Sequence, residues 1–146
     1  MNVKIETERY IMRFDGLSKP NPGLSSAGCV IYSPDGTKVY EEGVYMGYAT
    51  NNQAEYTGFI TGIKAAINLG IRCLHVEGDS MIVVQQVKGV WKVGEPRLKI
   101  LFNEAQVLMS EIPVLTIEHV YRKFNKEADR ITNDVIQSKQ SYILHF

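Results

Sequence analysis

Patterning begins with Arg9 to Phe14, a run dense in aromatic and branched residues, and the turn dipeptide Asp15-Gly16 follows it. This predicts a strand that ends at Asp15. A polar loop rich in Pro and Gly covers Leu17 to Gly23, and Ala27 to Tyr32 is a second strand. Pro34-Asp35-Gly36 then turns the chain into a third, Lys38 to Tyr48, so the first part of the chain predicts an antiparallel meander. Next the period changes, with Tyr56, Phe59, Ile60, Ile63, Ala66 and Ile67 recurring at helical spacing up to a stop at Gly70. Gly58 and Gly62 interrupt this helix at a cost of about 1 kcal/mol each relative to Ala, which a close approach of helix to sheet would explain.

Arg72 to Val76 is a short β-type run. After Gly78-Asp79-Ser80, the apolar segment Met81 to Val87 is too short for its period to decide, and a capped helix fits it best. Pro96 stands where a first helical residue would, ahead of an apolar stripe at Leu98, Leu101, Phe102, Ala105, Leu108 and Met109. Pro113 ends that helix, Val114 to Tyr121 alternates as a strand, and Asn125 opens a last helix carrying Ala128, Ile131 and Val135. The order βββαβααβα predicts an α/β protein with a five-stranded mixed sheet flanked by helices, in a single domain spanning 1–146. The apolar tail, 141–146, is expected to pack back on the core, with a partner contact as the other reading.

Composition narrows the function classes. The 146 residues carry 16 Lys plus Arg against 16 Asp plus Glu, a formal net charge of zero, so binding by bulk positive charge is excluded. A hydrophobic content of 45% beside 22% charged residues suits a domain that folds alone. Cys29 and Cys73 each sit in an apolar stretch, which predicts buried free thiols in a reducing compartment, the cytoplasm. Met1 to Tyr10 alternates charged and apolar residues without the apolar core of a secretion signal, and no run of about 18 apolar residues occurs, so no membrane contact is expected.

Four carboxylates fall at the ends of predicted elements: Asp15 at the end of the first strand, Glu55 in the first turn of the first helix, Asp79 after the fourth strand, and Asp129 early in the last helix. Each has a local explanation. Asp15 could serve an Asx-turn, Glu55 could complete a capping box with Asn52, Asp79 could cap a helix, and Asp129 could pair with Lys126. A mixed sheet, however, can gather strand ends and helix starts at one edge, where crowded carboxylates repel unless cations hold them. Oxygen-only ligands select a hard cation, Mg2+ or Mn2+, and two such ions about 4 Å apart are a known device for phosphodiester displacement.

Four motifs in register carry a resemblance: Asp15-Gly16 through Asn21-Pro22-Gly23, then Thr50-Asn51-Asn52 with Ala54-Glu55, then Glu77-Gly78-Asp79-Ser80, then Asn125 to Asp129. In this order they resemble the type 1 ribonuclease H family, in its short form, from Arg9 to Ile136. The resemblance implies a ribonuclease H-like fold and an endonuclease that cuts the RNA strand of an RNA/DNA hybrid, leaving 5′-phosphate and 3′-hydroxyl ends. It implies Asp15 bridging two metal ions, Asp129 helping to hold the water-activating ion, and Glu55 with Asp79 holding the ion at the leaving group.

The residues facing nucleic acid, on the same resemblance, are Gly16, Ser18, Asn21, Thr50, Asn51 and Asn52, with Lys88, Trp91 and Arg122 beyond them. Gly16 and Glu55 would meet 2′-hydroxyls, the Asn residues the minor groove, and Thr50 a DNA phosphate. Turn and cap chemistry is the other account of the Asn residues. The basic, Trp-rich protrusion of long family members is missing between the two central helices. There Lys88, Trp91, Lys92 and Arg97 form either a small contact patch or a solvated rim. No His stands between Tyr121 and Asp129, where many relatives have one, and Arg122 or Lys123 is the substitute on the phosphate side. Met81 replaces a Gln common in relatives. The expected protein is a monomer whose partner is a hybrid duplex. Its alternatives are a catalytically idle hybrid-binding module and a DNA-directed nuclease on the same fold.

Overall fold

A computed structural model of the chain describes residues 8–146. The alternation noted over Met1 to Tyr10 lies outside the described residues for its first seven positions, as does the N-terminal end of the expected 1–146 domain.

Strands β1 (Tyr10–Lys19), β2 (Gly23–Tyr32) and β3 (Lys38–Ala49) form the antiparallel meander that their turns predict. Helix α1 (Asn51–Asn68) carries the chain to β4 (Cys73–Gly78), parallel to β1 on its outer side. Helices α2 (Met81–Val87) and α3 (Pro96–Met109) lead to β5 (Val114–His119), parallel to β4, and α4 (Lys126–Ser138) follows. The short segment β6 (Tyr142–His145) then pairs antiparallel with β3, giving the strand order β5-β4-β1-β2-β3-β6.

The sheet therefore has six strands, not the five expected. Four residues are too few to display a period, and what makes 142–145 a strand is the open edge of β3, which supplies its hydrogen-bond partners.

The pleat of β2 shows how the two layers are assigned. Cys29 and Ile31 enter the main core with Met12, Phe14 and the α1 residues Phe59 and Ile63, whereas Val30 faces Ile131 and Val135 of α4 on the other side. Phe14 meets Phe59 edge-on at 5.4 Å. The glycines of α1 serve the predicted close approach: a Cβ on Gly58 would lie 2.4 Å from the Asp15 carbonyl oxygen, and one on Gly62 would lie 2.5 Å from Met12 Sδ. Both cysteines are buried and free. Among the described residues, no helix is long and apolar enough to cross a membrane.

Candidate active site

Strand β1 does not stop at Asp15. The Asp-Gly turn signal yields to pairing with β2, where Asp15 lies opposite Gly28 and Gly16 opposite Ala27, and the turn falls later, around Pro20 to Pro22. Gly16 is required there for another reason: a Cβ on it would sit 2.2 Å from the Glu55 backbone nitrogen. The bare backbone lets the N-terminal part of α1 press against β1 and bring Glu55 beside Asp15. Glu55 is the fifth residue of α1, so it stands in the second turn rather than the first. The capping box of that helix belongs to Thr50 and Gln53: Thr50 Oγ1 accepts from the Gln53 N–H (3.2 Å), and Gln53 Oε1 accepts from the Thr50 N–H (2.9 Å). Asp79 follows the end of β4, and Ser80, not Asp79, caps α2. Asp129 lies in the first turn of α4, where its partner is Arg122 (3.4 Å) rather than Lys126.

None of the four local explanations thus holds, and the fold brings the side chains together. One carboxylate oxygen from each of Asp15, Glu55 and Asp79 lies within 4.8 Å of the others. Asp129 stands on the wall of the same cleft, its Oδ1 turned toward Arg122 and Asn133. The cleft measures about 380 Å³ and is open to solvent.

Crowding shows in the electrostatics. Burial, then the charges of Asp79 and Asp129, push the Asp15 carboxyl up to about 7, against a hydrogen bond from the Gly16 N–H to Oδ1 (2.9 Å). Burial, then the charges of Asp15 and Asp79, raise Glu55 well above the ordinary carboxylate range, and its Oε1 has no hydrogen-bond partner among the described residues. Asp79 is also raised, chiefly by burial, with Asn125 and Arg122 opposing. An orphaned buried oxygen within a ring of acids that resist ionising is what a site for hard divalent cations presents when none is bound. The donor set fits Mg2+ or Mn2+.

Three contributors to this cleft were not singled out as site residues. His119, at the end of β5, lines it with Tyr121, whose ring it meets edge-on at 5.9 Å. Only the pairing of β5 with β4, His119 opposite Gly78, puts it beside Asp79. Asn125 is fully buried and its amide donates to the Phe14 carbonyl (2.9 Å), tying the start of α4 to β1 one residue before Asp15. The Asn-x-x-x-Asp spacing was the available signal for that role.

Among the expected nucleic-acid contacts, Gly16, Asn51 and Arg122 line the cleft. Asn21 and Asn51 are linked, since Asn21 Oδ1 accepts from the Asn51 N–H (2.9 Å) and Asn51 Oδ1 accepts from the Ser18 N–H (3.2 Å). Ser18 is buried and its hydroxyl donates inward, to the carbonyls of Pro20 and Ala49. Thr50 and Asn52 are half-buried at the start of α1. Lys88 and Trp91 are exposed on the connection after α2, outside the residues that line the cleft.

Sheet order, the crossing of α1 and the acidic cleft at the β1–β4 junction define a ribonuclease H-like α/β protein. A family model described as reverse transcriptase-like matches residues 13–135. The chain is 38% identical over 123 residues to ribonuclease HI of Halobacterium salinarum, covering 84% of this chain and 62% of that protein. It superposes on the N-terminal RNase H domain of a Mycobacterium tuberculosis protein with a TM-score of 0.87 at 38% identity, covering 90% of this chain and 96% of that one. LC11-RNase H1, solved in complex with an RNA/DNA hybrid, gives 0.84 at 32% identity over 89% and 98%. The chain belongs to the type 1 ribonuclease H family. It spans less than two thirds of the length of the curated Halobacterium and mycobacterial relatives.

Proposed function

We propose that this protein is a divalent-metal-dependent endonuclease that hydrolyses the RNA strand of RNA/DNA hybrids and leaves 5′-phosphate and 3′-hydroxyl ends. The observation that carries the reading is the convergence of Asp15, Glu55 and Asp79 in an open cleft, with Asp129 on its wall. Family membership supports it, as does a relative solved with a hybrid. Asp15 would bridge two Mg2+ or Mn2+ ions, Asp129 would help hold the ion on the water side, and Glu55 with Asp79 the ion at the leaving group. When bound, the ions supply activation of the attacking water and stabilisation of charge on the leaving oxygen.

The remaining work falls to this chain's own groups. Gly16 and Glu55, in contact across β1 and α1, are set to meet the 2′-hydroxyls that distinguish RNA from DNA. Asn21 and Asn51 accept internally through their side-chain oxygens, which leaves their NH2 groups as donors for base edges in the minor groove. Thr50 accepts a backbone N–H with its oxygen and so retains its hydroxyl proton for a DNA phosphate. Ser18 supports the turn rather than touching the hybrid directly. Lys88, Trp91 and Arg122 are exposed and extend the surface along the duplex. We take the chain to act as a single-domain monomer; its two free thiols suit the cytoplasm.

A labelled-hybrid cleavage assay with Mg2+, Mn2+ and chelator tests this. RNA nicking is expected in metal and none in chelator. Asp15→Asn and Asp79→Asn should each lose about a thousandfold in rate, equivalent to roughly 4 kcal/mol of transition-state stabilisation. Hybrid binding without nicking under every metal condition would identify an idle module instead, and equal cleavage of a DNA duplex would identify a DNA-directed nuclease.

A further inference from the structure

A second group of ligating side chains lies on the sheet itself, away from the acidic cleft. His75 and Glu77 are alternate residues of β4 and share one face, and the parallel register sets Glu77 opposite Glu118 and His75 opposite Thr116 on β5. Helix α4 packs over β1, β2 and β3, so on this face β4 and β5 carry these polar side chains where their neighbours carry apolar contacts with the helix. Nε2 of His75, Oε2 of Glu77 and Oε2 of Glu118 converge, with Nε2 at 3.4 and 3.5 Å from the two oxygens.

Three features point to a cation at the centre of this triangle. The His75 imidazole is more than nine-tenths buried, yet Nε2 forms no hydrogen bond among the described residues, and both carboxylate contacts exceed the roughly 2.7–2.9 Å of a charge-assisted bond. The two separations from Nε2 instead match the edge of a tetrahedral ligand set, about 3.3–3.4 Å when metal–ligand bonds are about 2.0–2.1 Å, and the two carboxylate oxygens lie within 4.8 Å of each other. Finally, the outer contacts orient the inner ones. Nδ1 lies 2.6 Å from Thr116 Oγ1, so a proton on Nδ1 donated to that hydroxyl leaves the Nε2 lone pair facing the carboxylates. Arg13 Nε donates to the far oxygen of Glu77 at 2.9 Å, which frees Oε2 for the centre. With Arg13 included, two carboxylates and one guanidinium leave one negative charge in excess around the imidazole.

We propose that His75, Glu77 and Glu118 form a binding site for a divalent transition-metal ion, of which Zn2+ is the best fit, separate from the catalytic carboxylates. One imidazole with two carboxylates selects Zn2+ over Mg2+, which prefers oxygen alone. An ion here ties β4 to edge strand β5. Glu77 lies two residues before Asp79 and Glu118 one before His119, so occupancy steadies the two strand ends that flank the cleft. The assignment does not depend on the proposed hybrid cleavage.

Zn2+ is titrated calorimetrically into the full chain carrying Asp15→Asn and Asp79→Asn, which disable the acidic cleft, in the presence of excess Mg2+. One Zn2+ per chain is expected, and Co2+ in its place should give the visible absorption of a tetrahedral centre. Adding His75→Gln or Glu118→Gln should weaken binding by about a hundredfold or more, and Thr116→Val, which removes only the orienting hydroxyl, by about tenfold. Because Glu118 and Thr116 are exposed, those two variants test the site without disturbing the core, and thermal unfolding checks that they fold. Absence of Zn2+ binding, displacement by Mg2+, or an affinity unchanged in Glu118→Gln overturns the proposal.

Discussion

At the scale of single residues, the cleft stores repulsion, and this fixes how stability depends on pH. Asp15 has a folded-state pKa of about 7 against an ordinary 3.8. Between those values the folded protein keeps a proton that the unfolded chain gives up, so stability falls as pH rises, by roughly 1.4 kcal/mol per pH unit for each such proton. In chelator, the thermal midpoint should therefore drop from about pH 5 to pH 8. Added Mg2+ or Mn2+ should restore it at the alkaline end, and Asp15→Asn should raise it there while lowering the proposed cleavage rate about a thousandfold. A midpoint that climbs with pH in chelator would contradict the electrostatic reading of the cleft.

At the scale of elements, the contact between β1 and α1 sets the position of Glu55. Gly58 has only backbone to yield against, the Asp15 and Gly28 carbonyls at 2.4 and 3.1 Å, whereas Gly62 faces the flexible end of Met12. Gly58→Ala should accordingly cost about 1–3 kcal/mol in denaturant unfolding, the usual range for overpacking, and should reduce the cleavage rate by shifting Asp15. Gly62→Ala should be milder on both counts, since Met12 can move and Ala favours a helix interior. Equal effects would mean that the helix–sheet approach near Asp15 is looser than its geometry.

At the scale of the whole molecule, a charged network fastens the last strand. Glu41 on β3 is 3% exposed and receives Lys38 Nζ and Arg130 Nη2, each at 3.0 Å, together with the Tyr142 hydroxyl of β6. Burial works to raise the Glu41 carboxyl, but these donors hold it below its ordinary range, and Arg130 with Lys38 lowers Glu127 to about 2. For groups lowered in this way, the stabilisation is complete above about 4.5 and disappears as pH falls through the folded values. With the opposite trend of Asp15, metal-free stability should be greatest near about pH 5 and decline on both sides. Glu41→Gln leaves partly solvated cations without their carboxylate and should cost about 1–3 kcal/mol. Its acid limb should flatten, and hydrogen exchange along β6 should quicken.

The sequence alone determined the order of the elements from β1 to α4, because the longer strands and helices show their periods locally, Gly70 and Pro96 mark a helix end and a helix start, and Pro113 directly precedes β5. The four carboxylates were legible because each sits in a recognisable motif. Where local and long-range signals compete, tertiary structure decided. It carried β1 through Asp15-Gly16, because pairing with β2 outweighs a turn preference. It made a strand of 142–145, because β3 had an open edge. It also brought His119 to the cleft and His75 to Glu118, since parallel register joins residues that no sequence spacing relates. Period and punctuation are properties of neighbours along the chain, whereas a cleft of crowded carboxylates, a His–Glu–Glu cluster or a buried ion network exists only once distant segments are held a few ångströms apart.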